Sequence, residues 1–160
     1  MATVTEARAI GDDALEIVRV IDAPVALVFR LWESWEHAIR WWGPKEFTCT
    51  LFETDFRPGG AWRAHMVSDQ YGEGRMGGVY REIVREKRLV FTFAWDEGFG
   101  PPLDTIVTVT FEEKDGRTIQ TFHQTPFTDV AVRDSHIGGW ASFVEKEADY
   151  AEALAKETAR

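Results

Sequence analysis

The sequence predicts an α+β fold in which a curved antiparallel sheet of about seven strands grips one long terminal helix. Three observations predict it. A β-branched run, ALEIVRVI, is followed at once by two short apolar segments bounded by Asp22-Ala23-Pro24, Ser34 and Gly43-Pro44. About half of the 160 residues then read as strands joined by short turn signals, the mark of an antiparallel meander. Last comes a helical stretch, residues 135–157, whose single apolar stripe must be covered by the sheet.

Each element has its own signal. Residues 1–13 read as a polar, mobile head, and residues 14–160 as a single domain that opens with a strand over 14–21. Asp22 is a capping residue and Pro24 suits a first helical turn, so residues 24–32 read as a short helix. Ser34 caps a second one over 35–42, which Gly43-Pro44 ends. Strands follow at 47–56, 61–67, 74–85, 88–95, 104–113 and 117–125. They are separated by Arg57-Pro58-Gly59-Gly60, Ser68 to Gly72, Glu86-Lys87, the loop 96–103, and Lys114-Asp115-Gly116. Leu89, Phe91, Phe93 and Trp95 alternate, as do Val107, Val109 and Phe111, which gives those strands one apolar face each.

Asp134 or Ser135 is the expected cap of the final helix, whose length is on the order of 35 Å. Residues spaced 100° apart bring Trp140, Phe143, Val144, Ala151, Leu154 and Ala155 to one side, while Glu145, Lys146, Asp149, Glu152 and Lys156 face away. Glu147 falls inside the apolar stripe.

Composition narrows the function. The chain is 44% hydrophobic, with seven Trp and eleven Phe, which excludes disorder and predicts an aromatic interior. A formal charge of -9 without a Lys/Arg block excludes nucleic acid and anionic membrane surfaces as partners. No apolar run reaches the roughly 18 residues of a membrane span, and the start lacks the basic-then-apolar order of a signal peptide, so the expected location is cytoplasmic. Cys49 is the single cysteine, expected as a small buried hydrophobe, and no histidine spacing suits a metal. No nucleophile elbow or nucleotide-binding glycine pattern is present, and no cofactor is expected.

A set of motifs in order along residues 14–155 carries a family resemblance. They are Ala23-Pro24, Arg40-Trp41-Trp42-Gly43-Pro44, the stretch from Glu53 to Trp62, Met66, Gly78-Val79-Tyr80, Arg88-Leu89-Val90, His123 and Gly139-Trp140. Together they resemble the START-like (SRPBCC) superfamily, and within it the bacterial proteins related to the activator of heat-shock protein 90 ATPase. The resemblance implies a helix-grip fold with a deep cavity between sheet and long helix. It also implies a range of roles, from binding apolar or aromatic molecules to cyclisation, hydrolysis or partnership with a chaperone, because fold does not dictate function.

Within that frame, Trp41 and Trp42 close one end of the grip, with one indole toward the cavity and its neighbour packed on the sheet or rim. Glu147 departs from the family, which usually has leucine there. A carboxylate in an apolar stripe must be paired, protonated or wet, so Glu147 reads as a cavity anchor or acid/base, as half of a structural ion pair with a strand arginine, or as a position exposed by helix curvature. His123 is assigned to the cavity face through Ile119, Thr121 and His123, where it could partner Glu147; His65 is assigned to solvent. Glu53, Asp55 and Arg57 read as a solvated charged face. Gly138-Gly139 suggest close approach to the sheet or to a ligand.

The leading expectation is binding of a small hydrophobic or aromatic ligand by Trp42, Met66, Phe91, Phe93, His123, Trp140, Phe143 and Glu147. The alternatives are a cyclase- or hydrolase-type enzyme using Glu147 and His123, and an interaction protein with a chaperone or homodimer partner.

Overall fold

The computed structural model of the protein describes residues 5–158. Its elements are β1 (Glu6–Ile10), β2 (Ala14–Ile21), α1 (Val25–Glu33), α2 (Trp35–Trp41), β3 (Thr48–Thr54), β4 (Ala61–Ser68), β5 (Gly72–Val84), β6 (Arg88–Trp95), β7 (Thr105–Lys114), β8 (Arg117–Thr125) and α3 (Val130–Thr158). The strands form one antiparallel sheet in the order β1-β2-β8-β7-β6-β5-β4-β3. After the first hairpin the chain crosses by α1 and α2 to the far edge, then meanders back until β8 lies beside β2. One face of this sheet and α3 enclose the core, with α1 and α2 packed at one end.

Two expectations need correction here. The stretch read as a mobile head contains β1, which pairs with β2 from Glu6↔Val18 to Ile10↔Ala14 and brings the sheet to eight strands; residues 1–4 lie outside the described residues. Helix α3 starts at Val130, where the Asp129 carboxylate accepts the N–H groups of Ala131 (2.8 Å) and Val132 (3.3 Å). Asp134 and Ser135 are therefore inside the helix, and Ser135 donates back to the Val132 carbonyl at 2.8 Å.

The first short helix begins differently from the expectation, whereas Ser34 is the N-cap of α2 as expected, without a side-chain capping bond. Pro24 is the N-cap of α1, and Asp22 instead lies 3.5 Å from Arg117. Helix α2 stops because Gly43 takes φ +98, a conformation that favours glycine, while its missing Cβ leaves room for the Met66 sulfur. The long helix is tied to the first hairpin by Arg133, which is buried and donates to the carbonyls of Gly11 (2.9 Å) and Ala14 (3.0 Å).

Register decides which side chains reach the interior. Val107, Val109 and Phe111 point inward and pair with Gln124, Phe122 and Gln120. The inward residues of β8 are thus Thr118, Gln120, Phe122 and Gln124, all buried, and Ile119, Thr121 and His123 take the opposite face. The assignment of His123 to the cavity face is overturned. Three polar side chains can turn inward because each has a partner: Thr118 donates to the Ala23 carbonyl (2.8 Å), Gln120 to Glu147 (2.7 Å), and Gln124 to Thr105 (2.9 Å).

Candidate functional site

The two adjacent tryptophans at the end of α2 divide their work. Trp41 is fully buried and packs edge-on against Trp32 (4.9 Å between ring centroids) and Phe143 (5.1 Å). Trp42 turns toward β3 and β4, with Phe52 at 5.1 Å and Trp62 at 5.2 Å, and also meets Phe143 at 4.8 Å. It is Trp42 that borders open space.

That space is a pocket of about 800 Å³ between the sheet and the N-terminal half of α3. Of the residues singled out from the sequence, Trp42, Met66, Phe93, Trp140 and Phe143 line it. Phe91 does not; it borders a separate void of about 10 Å³. His123 and Glu147 are absent from both linings. The lining also includes Trp95, the last residue of the β6 alternation, and residues that the sequence pattern does not single out, among them Phe47, Tyr71, Met76 and His136.

The glycine pair in α3 lines the same pocket. A Cβ on Gly138 or Gly139 would meet nothing within 4 Å, so close approach to the sheet is not the reason for either glycine. The helix presents bare backbone to the space at these two positions.

Polar groups on the lining are largely committed to the protein itself. Trp42 Nε1 donates to the Met76 sulfur (3.4 Å), Trp140 Nε1 to Gln124 (2.7 Å) and Trp95 Nε1 to His136 Nε2 (3.1 Å). His136 must then carry its proton on Nδ1, which donates to the Val132 carbonyl at 2.8 Å. Burial lowers the pKa of His136 from its ordinary value, with the Val132 bond acting in the opposite direction. Ser142 Oγ accepts the Lys45 N–H at 2.9 Å. What the pocket offers is therefore mainly aromatic and thioether surface.

Glu147 belongs to a different place. It is fully buried beneath α3, accepting from Gln120 Nε2 (2.7 Å) and Trp32 Nε1 (3.0 Å). Desolvation pushes its pKa up to about 8, against the lowering effects of those two donors and of Arg19. The expected arginine is nearby, but Arg19 bonds Glu145 (3.0 Å) instead, so Glu145, expected on the outward face, is half-buried. His123 lies on the outer face of β8 and Glu147 beneath the inner one, so the sheet separates them and the acid–base pair loses its basis.

His65 is half-buried on the face opposite Met66, and Asp55 pairs with Arg57 at 2.9 Å on the surface. Cys49 is buried, and its thiol is pushed up to about 11, chiefly by desolvation. Among the described residues no group of His, Cys, Asp and Glu could hold a metal, and no helix is long and apolar enough to cross a membrane.

An eight-stranded antiparallel sheet gripping a long helix, with two short helices after its first hairpin, defines a START-like helix-grip domain. Residues 22–152 match the family described as Activator of Hsp90 ATPase homolog 1-like protein, and the chain belongs to that family. Solved structures agree in fold. A Chromobacterium violaceum protein is 26% identical with a TM-score of 0.79, covering 88% of this chain and 97% of its own. A Nitrosomonas europaea protein is 22% identical with a TM-score of 0.77, over 95% and 100% of the two chains. The AHSA1 protein from Silicibacter pomeroyi is 21% identical with a TM-score of 0.76, over 90% and 99%. No curated protein matches the sequence.

Proposed function

We propose that the protein binds a small, largely apolar molecule with aromatic character in the cavity between its sheet and α3, in the cytoplasmic setting read from the sequence. The observation that carries this reading is the space of about 800 Å³ with Trp42, Phe93, Trp140 and Phe143 on its walls. Ligand sites commonly measure roughly 300–1,000 Å³ and are mostly apolar. The committed indole N–H groups support it further, because a ligand would be held through ring faces and shape more than through many hydrogen bonds.

Native mass spectrometry of the purified protein, followed by solvent extraction, tests the proposal. A stoichiometric small-molecule adduct is the expected result. A clean apo mass, together with no change in tryptophan emission on titration with N-phenyl-1-naphthylamine, would overturn it.

A further inference from the structure

We infer that the cavity selects organic cations, molecules joining an apolar or aromatic body to an ammonium group, over neutral and anionic molecules of the same shape. The inference rests on the ligand-binding reading and names the ligand class for that site. Among the described residues the lining holds one carboxylate, Glu46, and no lysine or arginine. The two neighbouring lysines have partners of their own, although Lys146 reaches a residue of the lining, Phe47. Lys45 Nζ lies 4.0 Å from Asp149, and Lys146 Nζ donates to the Phe47 carbonyl at 2.8 Å.

An anion entering this space would find little to replace its water. The indole N–H groups are engaged, and His136 has both ring nitrogens in use. Burying an unpaired charge is costly, so anions are disfavoured. A cation meets the opposite situation. Aromatic faces attract it through their quadrupoles, the exposed Glu46 adds a negative charge at the edge of the cavity, and the formal charge of -9 favours its approach. Phe47 and Tyr71 lie nearly parallel, 16° apart with centroids 6.0 Å from each other, and Tyr71 is 62% exposed, so aromatic surface extends to the solvent side of the cavity.

Three probes of one shape and different charge decide the matter: benzyltrimethylammonium, neopentylbenzene and phenylmethanesulfonate, titrated into the full chain by ligand-observed NMR. The cation is expected to bind about fivefold more tightly than the neutral probe, and the anion more weakly than either. Glu46→Gln and added salt should each shrink the cation's advantage. Equal or tighter binding of the neutral probe overturns the charge preference while leaving the cavity reading intact. No binding by any probe overturns the charge preference, and the N-phenyl-1-naphthylamine titration then decides separately whether the cavity reading stands.

Discussion

Trp32 gives its indole N–H to the carboxyl of Glu147, Nε1 to Oε2 at 3.0 Å, joining α1 to the middle of α3 at a point from which solvent is excluded. Gln120 completes the arrangement from β8, so one carboxyl links a short helix, the long helix and the sheet. The cost of burying it appears as a raised pKa.

The pH dependence of folding follows from that shift. Glu147 is held at about 8 by desolvation, well above its ordinary value of 4.5. In the interval between, the folded state keeps a proton that the unfolded chain has released, so stability falls as pH rises from the unfolded pKa through the folded one. The slope approaches roughly 1.4 kcal/mol per pH step at its steepest. Urea unfolding at several pH values should show this decline in the parent and a flatter profile in Glu147→Gln, which keeps an oxygen for Trp32. Identical slopes would mean that Glu147 does not carry the shifted proton. Glu145 acts with the opposite sign. Desolvation is the largest single influence and pushes its pKa up, but Thr5 and Arg19 together hold it below the ordinary value, so its contribution is lost as pH falls.

The glycine pair separates binding from folding. Nothing lies within 4 Å of a Cβ at Gly139, and alanine is favoured over glycine in a helix by up to about 1 kcal/mol. Gly139→Ala should therefore unfold at slightly higher urea. Gly139→Leu should stay folded but weaken N-phenyl-1-naphthylamine binding about tenfold by occupying the cavity. Unchanged affinity in a folded Gly139→Leu protein would place the ligand elsewhere.

Gly78 makes the opposite case. A Cβ there would sit 1.8 Å from the Thr92 carbonyl oxygen, a backbone atom that cannot move aside without disturbing β6. Gly78→Ala should cost about 2 kcal/mol or more, read as a lower urea midpoint with an unchanged denaturant slope. A midpoint equal to the parent's would show that the sheet yields locally.

These sites also show why some of the molecule is legible in its sequence and some is not. The apolar alternation of β6 and β7 is strong because hydrophobic burial sets most of their inward face, with Thr105 the buried polar residue at the start of β7. On β8 the same rule fails, since Gln120 and Gln124 are inward and satisfied by Glu147, Thr105 and Trp140, while Ile119 is on the other face. Partners distant in sequence decide that register. Strand β1 has no apolar face to detect, as four of its five residues are exposed. The aromatic wall is readable from Trp42, Phe93 and Trp140, whereas His136 and Trp95 meet only through the fold.

Arg19 offers a test of the charged interior. It is 4% exposed, and its guanidinium donates to Glu145 through Nε (3.0 Å) and Nη2 (3.4 Å), and to the Val20 carbonyl through Nη1 (2.8 Å). Arg19→Ala should destabilise the protein by about 3 kcal/mol, since it strips a partner from Glu145 and removes a buried stem. Glu145→Gln should cost less, because Glu145 is partly exposed and the amide oxygen still accepts. A double-mutant cycle by urea denaturation separates packing from pairing, with an expected coupling of about 1 kcal/mol. Strict additivity would assign the whole effect of Arg19 to packing. Removing Arg19 also removes an influence that lowers the Glu147 pKa, so the decline in stability should continue to higher pH in Arg19→Ala than in the parent.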